Sequence, residues 1–194
     1  LKAYSLAEQR RFAEALLDGV GQRGGGSFTV RYPLWNEYVF PVLLARWDRR
    51  EPDAARALLS FYSQIHGGNE CRELIGERDL SRRGLLERAL QHEPGAADLK
   101  TRWLAVHGYH FDFAIHEVPY GILWGEGVTL TDFQGALLTL DRFASYAADV
   151  GLTEQYADQL SEWRYYFEAY CAYLESDERY PSFEAYLDAQ PMDE

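Results

Sequence analysis

Apolar residues recur along this chain at spacings of three and four, with stop signals between the runs, which is the pattern of amphipathic helices rather than of strands. In "SLAEQRRFAEALLDGV", Ser5 and Glu8 stand at capping-box spacing ahead of Phe12, Ala15 and Leu16, and Gly19 closes the run. "PLWNEYVFPVLLARWDRR" predicts a second helix, kinked where the Pro41 ring removes a backbone donor. Pro52 opens "PDAARALLSFYSQI" and Pro94 opens a long helix, since proline suits a first helical turn. A short helix over 70–75 and "DLSRRGLLERALQH" lie between them, and Pro119 and Gly121 stop the long helix. Thr131 is the expected cap of "TDFQGALLTLDRFASYAADVG" and Thr153 that of "TEQYADQLSEWRYYFEAYCAYLES", with "SFEAYLDAQ" as a last short helix. A glycine-rich loop covers 21–27, followed by a short extended piece at 28–32. No run of alternating strands competes, so the chain reads as all-α.

The expected architecture is a single compact domain over 1–194, with about six to eight helices in stacked antiparallel hairpins around a long central helix. An internal repeat supports the hairpins. "LLARWDRREPDAA" (43–55) and "LLERALQHEPGAA" (85–97) agree at seven of thirteen positions with an offset of 42, and Phe61 falls opposite Trp103. A helix, a tight proline-started turn and a second helix cannot bury their apolar faces alone and need a stacked neighbour. The repeat spans 34–65 and 79–118. Residues 43–61 and 85–103 resemble tetratricopeptide-like hairpins, with Ala89 and Pro94 at that family's alanine-to-proline spacing. The resemblance implies stacked helix pairs whose concave surface holds a protein or peptide.

Candidate chemistry concentrates in "VHGYHFDFAIHEVP" (106–119), which holds three of the five histidines. On a helix, Leu99, Trp103, Val106, His110, Phe113 and Glu117 share one face and Leu104, Phe111, Ile115 and Val118 another, so this helix is expected to be enclosed on both sides. His107 and His110 could share one ligand, and Asp112 and His116 another, but the two pairs diverge. Each would need help from a second helix, such as Asp158, Glu162, or Glu37 with Tyr38. Neither an H-E-x-x-H nor an E-x-x-H motif occurs. His110 and Glu117 are therefore expected as buried polar residues satisfied by tyrosine or backbone partners. His110, His116, Asp112 and Glu117 are the catalytic candidates and His107 and His110 the metal candidates for the alternative reading, a metal-assisted hydrolase or related enzyme. "GVGQRG" matches G-x-G-x-x-G literally but follows a helix instead of a strand, so it is a helix stop and not a phosphate cradle. Ser60, Ser63 and Ser81 lack a nucleophile elbow, Cys71 and Cys171 make no C-x-x-C pair, and no cofactor is expected.

Charge narrows the choice. The net charge is −12, and 149–194 alone holds twelve acidic residues against two arginines. Such a field repels nucleic acid and leaves a basic partner open. In "WRYYFEAYCAYL", Trp163, Tyr166, Phe167, Tyr170 and Leu174 form an inward stripe, while Tyr165 and Tyr173 fall beside carboxylates. Rings next to carboxylates suit guanidinium groups. Tyr120 and Trp124 in "VPYGILWGEGV" complete the binding candidates. No apolar run reaches the length of about 20 residues that spans a bilayer, and the first residues lack a signal-peptide core. The sequence thus predicts a cytoplasmic, non-enzymatic module, adaptor- or inhibitor-like, that binds a protein or peptide.

Overall fold

Ser5 and Glu8 do what their spacing predicts. In the computed structural model the Ser5 amide donates to Glu8 Oε2 at 2.8 Å and the Glu8 amide to Ser5 Oγ at 3.4 Å, a reciprocal cap that starts α1, Leu6–Gly21. The structure describes residues 5–21, 30–66, 69–118, 129–176 and 179–190, and within them every regular element is helical. None of these helices is long and apolar enough to cross a membrane.

The chain divides into two compact units, Leu1–Leu99 and Lys100–Glu194. In the first, α1 rests against a segment that begins as α2, Tyr32–Leu34, passes through a π-helical turn, Trp35–Val39, and continues as α3, Phe40–Asp48. The π turn is how the chain accommodates Pro41. With no amide at Pro41 the ordinary ladder is interrupted, and the Phe40 amide donates five residues back to the Trp35 carbonyl. Then follow α4, Ala54–Ser60, α5, Tyr62–His66, α6, Asn69–Ile75, and α7, Arg82–His92. Fully buried Trp35 stacks on Phe40 at 5.1 Å and meets Phe61 at 5.0 Å, and its indole N–H donates to Cys71 Sγ. Gln64 is buried and clasps the backbone of Val30, accepting from its amide at 3.0 Å and donating to its carbonyl at 2.5 Å.

Helices from the two sequence repeats touch, because α4 packs against α7. Arg56 donates from Nε and Nη2 to Glu93 and from Nη1 and Nη2 to Asp98, and Asp98 stands 42 residues beyond it, the offset of the repeat. The matched residues are used unequally. Arg46 pairs with Glu51 and Asp53 in its own turn, whereas its counterpart Arg88 lies over the Trp47 ring at 3.7 Å.

The second unit is built on α8, Ala97–Glu117, from Lys100 onward, with α9, Leu130–Asp149, α10, Ala157–Glu175, and α11, Phe183–Asp188. Its core is a layer of rings: Phe111 lies 5.9 Å from Phe143, 5.2 Å from Trp163 and 5.8 Å from Phe167. Gly108 sits where α8 passes these rings, and a β-carbon there would meet Trp163 and Phe143 at ordinary contact distance. Phe183 closes the far end against Tyr170 at 4.8 Å.

Several boundaries differ from expectation. Eleven α-helical segments among the described residues exceed the expected six to eight, the surplus being short pieces such as α2, α5 and α11. Thr129, not Thr131, caps α9, in a capping box with Asp132. Pro52 and Pro94 stand in the turns just before α4 and α8, and Thr153 precedes a 3₁₀ turn, Glu154–Tyr156, that leads into α10. The larger correction concerns α8, which has one buried face instead of two. Trp103, Leu104, His107, Phe111, Ala114 and Val118 are buried, while Tyr109 is 68% exposed and Phe113 is also exposed.

Candidate functional site

The histidine-rich segment separates into one interior ring and several surface groups. His107 is 2% exposed and stacks on Trp103 with centroids 3.6 Å apart, and its Nδ1 lies 3.0 Å from the Trp103 carbonyl. A carbonyl can only accept, so that contact requires the proton on Nδ1. The Arg142 guanidinium covers the Trp103 ring at 4.6 Å, and Tyr146 meets it edge-on at 5.1 Å. His110, 6.2 Å from His107 between centroids, is only half-buried, as is Glu117. Asp112 and His116 are exposed, and Asp112 accepts from the Trp163 indole at 2.9 Å. The buried polar residue of this segment, 106–118, is therefore His107, where His110 and Glu117 were expected. The stripe 103–107–111–114–118 turns His107 inward and leaves His110 about 60° away from it around the axis. Among the described residues, no three His, Cys, Asp or Glu side chains gather closely enough to hold a metal ion. What the segment offers chemically is one enclosed imidazole, His107, with His110 and Glu117 half-buried, His116 exposed, and the Asp112 carboxylate already serving as an acceptor.

On α10 the inward stripe holds at Trp163, Phe167 and Tyr170, all buried, with Tyr166 and Leu174 half-buried. The outward stripe runs Asp158, Glu162, Tyr165, Glu168 and Glu175, all exposed, with Tyr165 at 54%. Arg164 reaches Asp141 at 2.5 Å and Glu168 at 3.6 Å, and hydrogen bonding to Asp141 raises its pKa. Asp158, Glu162 and Glu175 make no ion pair with any described residue. Tyr173 is drawn into a ring cluster with Tyr170 at 5.5 Å, Phe183 at 5.7 Å and Tyr186 at 6.0 Å, so it is only half-exposed. Burial, then Glu175 and Glu168, pushes the Cys171 thiol up, away from the reactive thiolate. Both cysteines are free. Tyr120, Trp124 and the loop beyond Gly21 lie outside the described residues.

The division into units also divides the charge. Residues 1–99 balance at fourteen acidic and fourteen basic residues, while 100–194 carry seventeen acidic against five basic. The whole net charge belongs to the second unit.

The first unit contains a cleft of about 150 Å³ between α1 and α3, which sequence reading did not anticipate. Arg10 and Glu14 line it from α1, and Glu37, Tyr38, Pro41, Val42, Ala45 and Arg49 from the π turn and α3. Tyr38 is buried, and its pKa is raised by that burial, by the Glu37 charge and by a hydrogen bond to Glu37. The available signal was Pro41 inside a helical pattern just after Glu37 and Tyr38.

No protein-family model, curated protein or solved structure matches the chain. The tetratricopeptide likeness rests on the residues quoted for it.

Proposed function

We propose that this protein is a non-enzymatic interaction module, adaptor- or inhibitor-like, whose second unit holds a basic protein or peptide segment. The observation that carries the reading is the outward stripe of α10, where one exposed ring, Tyr165, lies among four exposed carboxylates on a unit that carries all of the net negative charge. Guanidinium groups suit that combination because they stack on a ring face and donate to carboxylates at once. An exposed contact of either kind contributes only about 0.5–1 kcal/mol, so several arginines must engage together. Attraction between exposed charges fades within a Debye length of about 8 Å at physiological ionic strength, so binding falls as salt rises. The resemblance of 43–61 and 85–103 to tetratricopeptide-like hairpins adds an analogy of architecture for a protein-binding role. Two free cysteines fit a cytoplasmic setting.

Fluorescence anisotropy with a labelled arginine-rich peptide tests the reading. Binding should weaken about two- to fivefold in Tyr165→Ala, weaken again in Glu162→Gln, and exceed that of a lysine peptide of equal charge. Equal affinity for both peptides, undiminished in Tyr165→Ala, would leave only nonspecific attraction to an acidic surface.

A further inference from the structure

What fastens the last helix to its unit is a contact between rings. α11, Phe183–Asp188, has six residues, all described: Phe183 is buried at 6% exposure, and the other five are half-buried or exposed. The hydrogen bonds described for it close within its own segment. The Ala185 amide donates to Ser182 Oγ and the Tyr186 amide to the Ser182 carbonyl, both at 3.1 Å, and the Ala189 and Gln190 amides donate to the carbonyls of Tyr186 and Leu187. Its described contacts with α10 are aromatic: Phe183 lies edge-on to Tyr170 at 4.8 Å and 5.7 Å from Tyr173, and Tyr186 stands 6.0 Å from Tyr173. Isolated helices shorter than about 12–15 residues are marginal in water. Undocking α11 and unfolding it are therefore one event.

The helices beneath are joined differently. α9 and α10 have 20 and 19 residues, and their contacts run along their length. Phe143 lies 5.3 Å from Trp163, Phe133 lies 6.0 Å from Phe167 and 4.4 Å from Tyr170, and Arg164 is bonded to Asp141 at 2.5 Å. Elements packed in that way open with the unit as a whole, whereas an element with few buried apolar contacts opens at lower free energy. We propose that α11 is a lid that opens on its own, baring Tyr170 and Tyr173 on α10 while α9 and α10 remain folded. In the closed form Tyr170 is 3% exposed and its ring meets both Phe133 and Phe183; opening removes the second contact and leaves the first in place. The unit then has a closed face and an open face that differ by two rings. This proposal does not rest on the peptide reading, and its test uses no ligand.

Native-state hydrogen exchange of the full chain over a low-urea series tests it. Relative to their unfolded rates, the amides of Tyr186, Ala189 and Gln190 should exchange at least about a hundredfold faster than amides in the middle of α9 and α10. Their opening should change little with urea, because it exposes little surface. Phe183→Ala should raise exchange at 185–190 by about tenfold or more and leave the middle of α9 and α10 as in wild type. Exchange at 185–190 in step with α9 and α10, with the same urea dependence, overturns the proposal. A Phe183→Ala variant that loses protection in all three helices together, or that fails to fold, does so too.

Discussion

Replacing Gln64 tests whether the clasp on Val30 holds the first unit together. Both groups are buried, Gln64 at 7% exposure, and the side-chain amide satisfies the Val30 amide and carbonyl simultaneously. Gln64→Met keeps length and approximate volume but supplies neither donor nor acceptor. Two buried backbone groups then lose their partners at about 1–3 kcal/mol each, so a total loss of about 2–4 kcal/mol is expected after partial relaxation. That is a large share of a typical stability of about 5–15 kcal/mol. Urea unfolding gives the magnitude, and hydrogen exchange at the Val30 amide gives the location. Gln64→Glu sharpens the test. A carboxylate can still accept from the Val30 amide, but its second oxygen faces the Val30 carbonyl and needs a proton to bond to it. The folded state then raises the new carboxyl's pKa above its unfolded value of about 4.3. A raised acid contributes its stability below the unfolded pKa and loses it as pH rises through the folded pKa. The deficit of Gln64→Glu relative to wild type should therefore be largest at neutral pH and shrink as pH falls toward about 4. A Gln64→Met variant within about 0.5 kcal/mol of wild type, or a Gln64→Glu deficit that ignores pH, refutes the reasoning.

Two further substitutions probe other contacts. Gly108→Ala should stabilise by about 0.5–1 kcal/mol in thermal or urea unfolding, because a methyl there meets Trp163 at 3.6 Å and Phe143 at 3.7 Å without overlap and helix propensity improves; Gly108→Leu should instead destabilise by about 1–3 kcal/mol through overpacking. Hydrogen bonding to Arg78, at 2.7 Å for each oxygen, holds the Asp48 carboxyl below the usual range, so its contribution is present above about pH 3.9 and is lost as pH falls through the lowered pKa; Asp48→Asn should cost under about 1 kcal/mol at neutral pH, since the pair is half-exposed, and should flatten that part of the acid unfolding curve.

Local signals carried much of the fold. Ser5 and Glu8 announce α1, and the spacing of three and four along 163–170 identifies the inward rings of α10, because capping and periodicity are decided within a few residues. Thr129 was missed in favour of Thr131 because its capping-box partner is Asp132, not the Glu or Gln that the usual pattern names. The inward residue of the histidine segment was misplaced for a different reason. A helical wheel rich in apolar residues on every side does not state which side meets a neighbour. The ring layer of α9 and α10 makes that choice, and it turns Phe111 inward and Tyr109 outward. The cleft was invisible in sequence because its lining joins residues 10–14 to residues 37–49 through packing. Only the odd position of Pro41 hinted at it.

Arg56 and Asp98 occupy the same place in two copies of one sequence pattern, yet they carry opposite charges and grip each other. The Asp98 half of that joint works only between unlike residues, whereas its Glu93 half uses a residue that Glu51 matches in the earlier copy. A duplicate of the earlier copy would set guanidinium against guanidinium, and a duplicate of the later one carboxylate against carboxylate. A second copy of 43–61 set at this seam would keep the glutamate contact through Glu51 but place Arg56 against another guanidinium, so the joint should weaken unless that side chain is recoded.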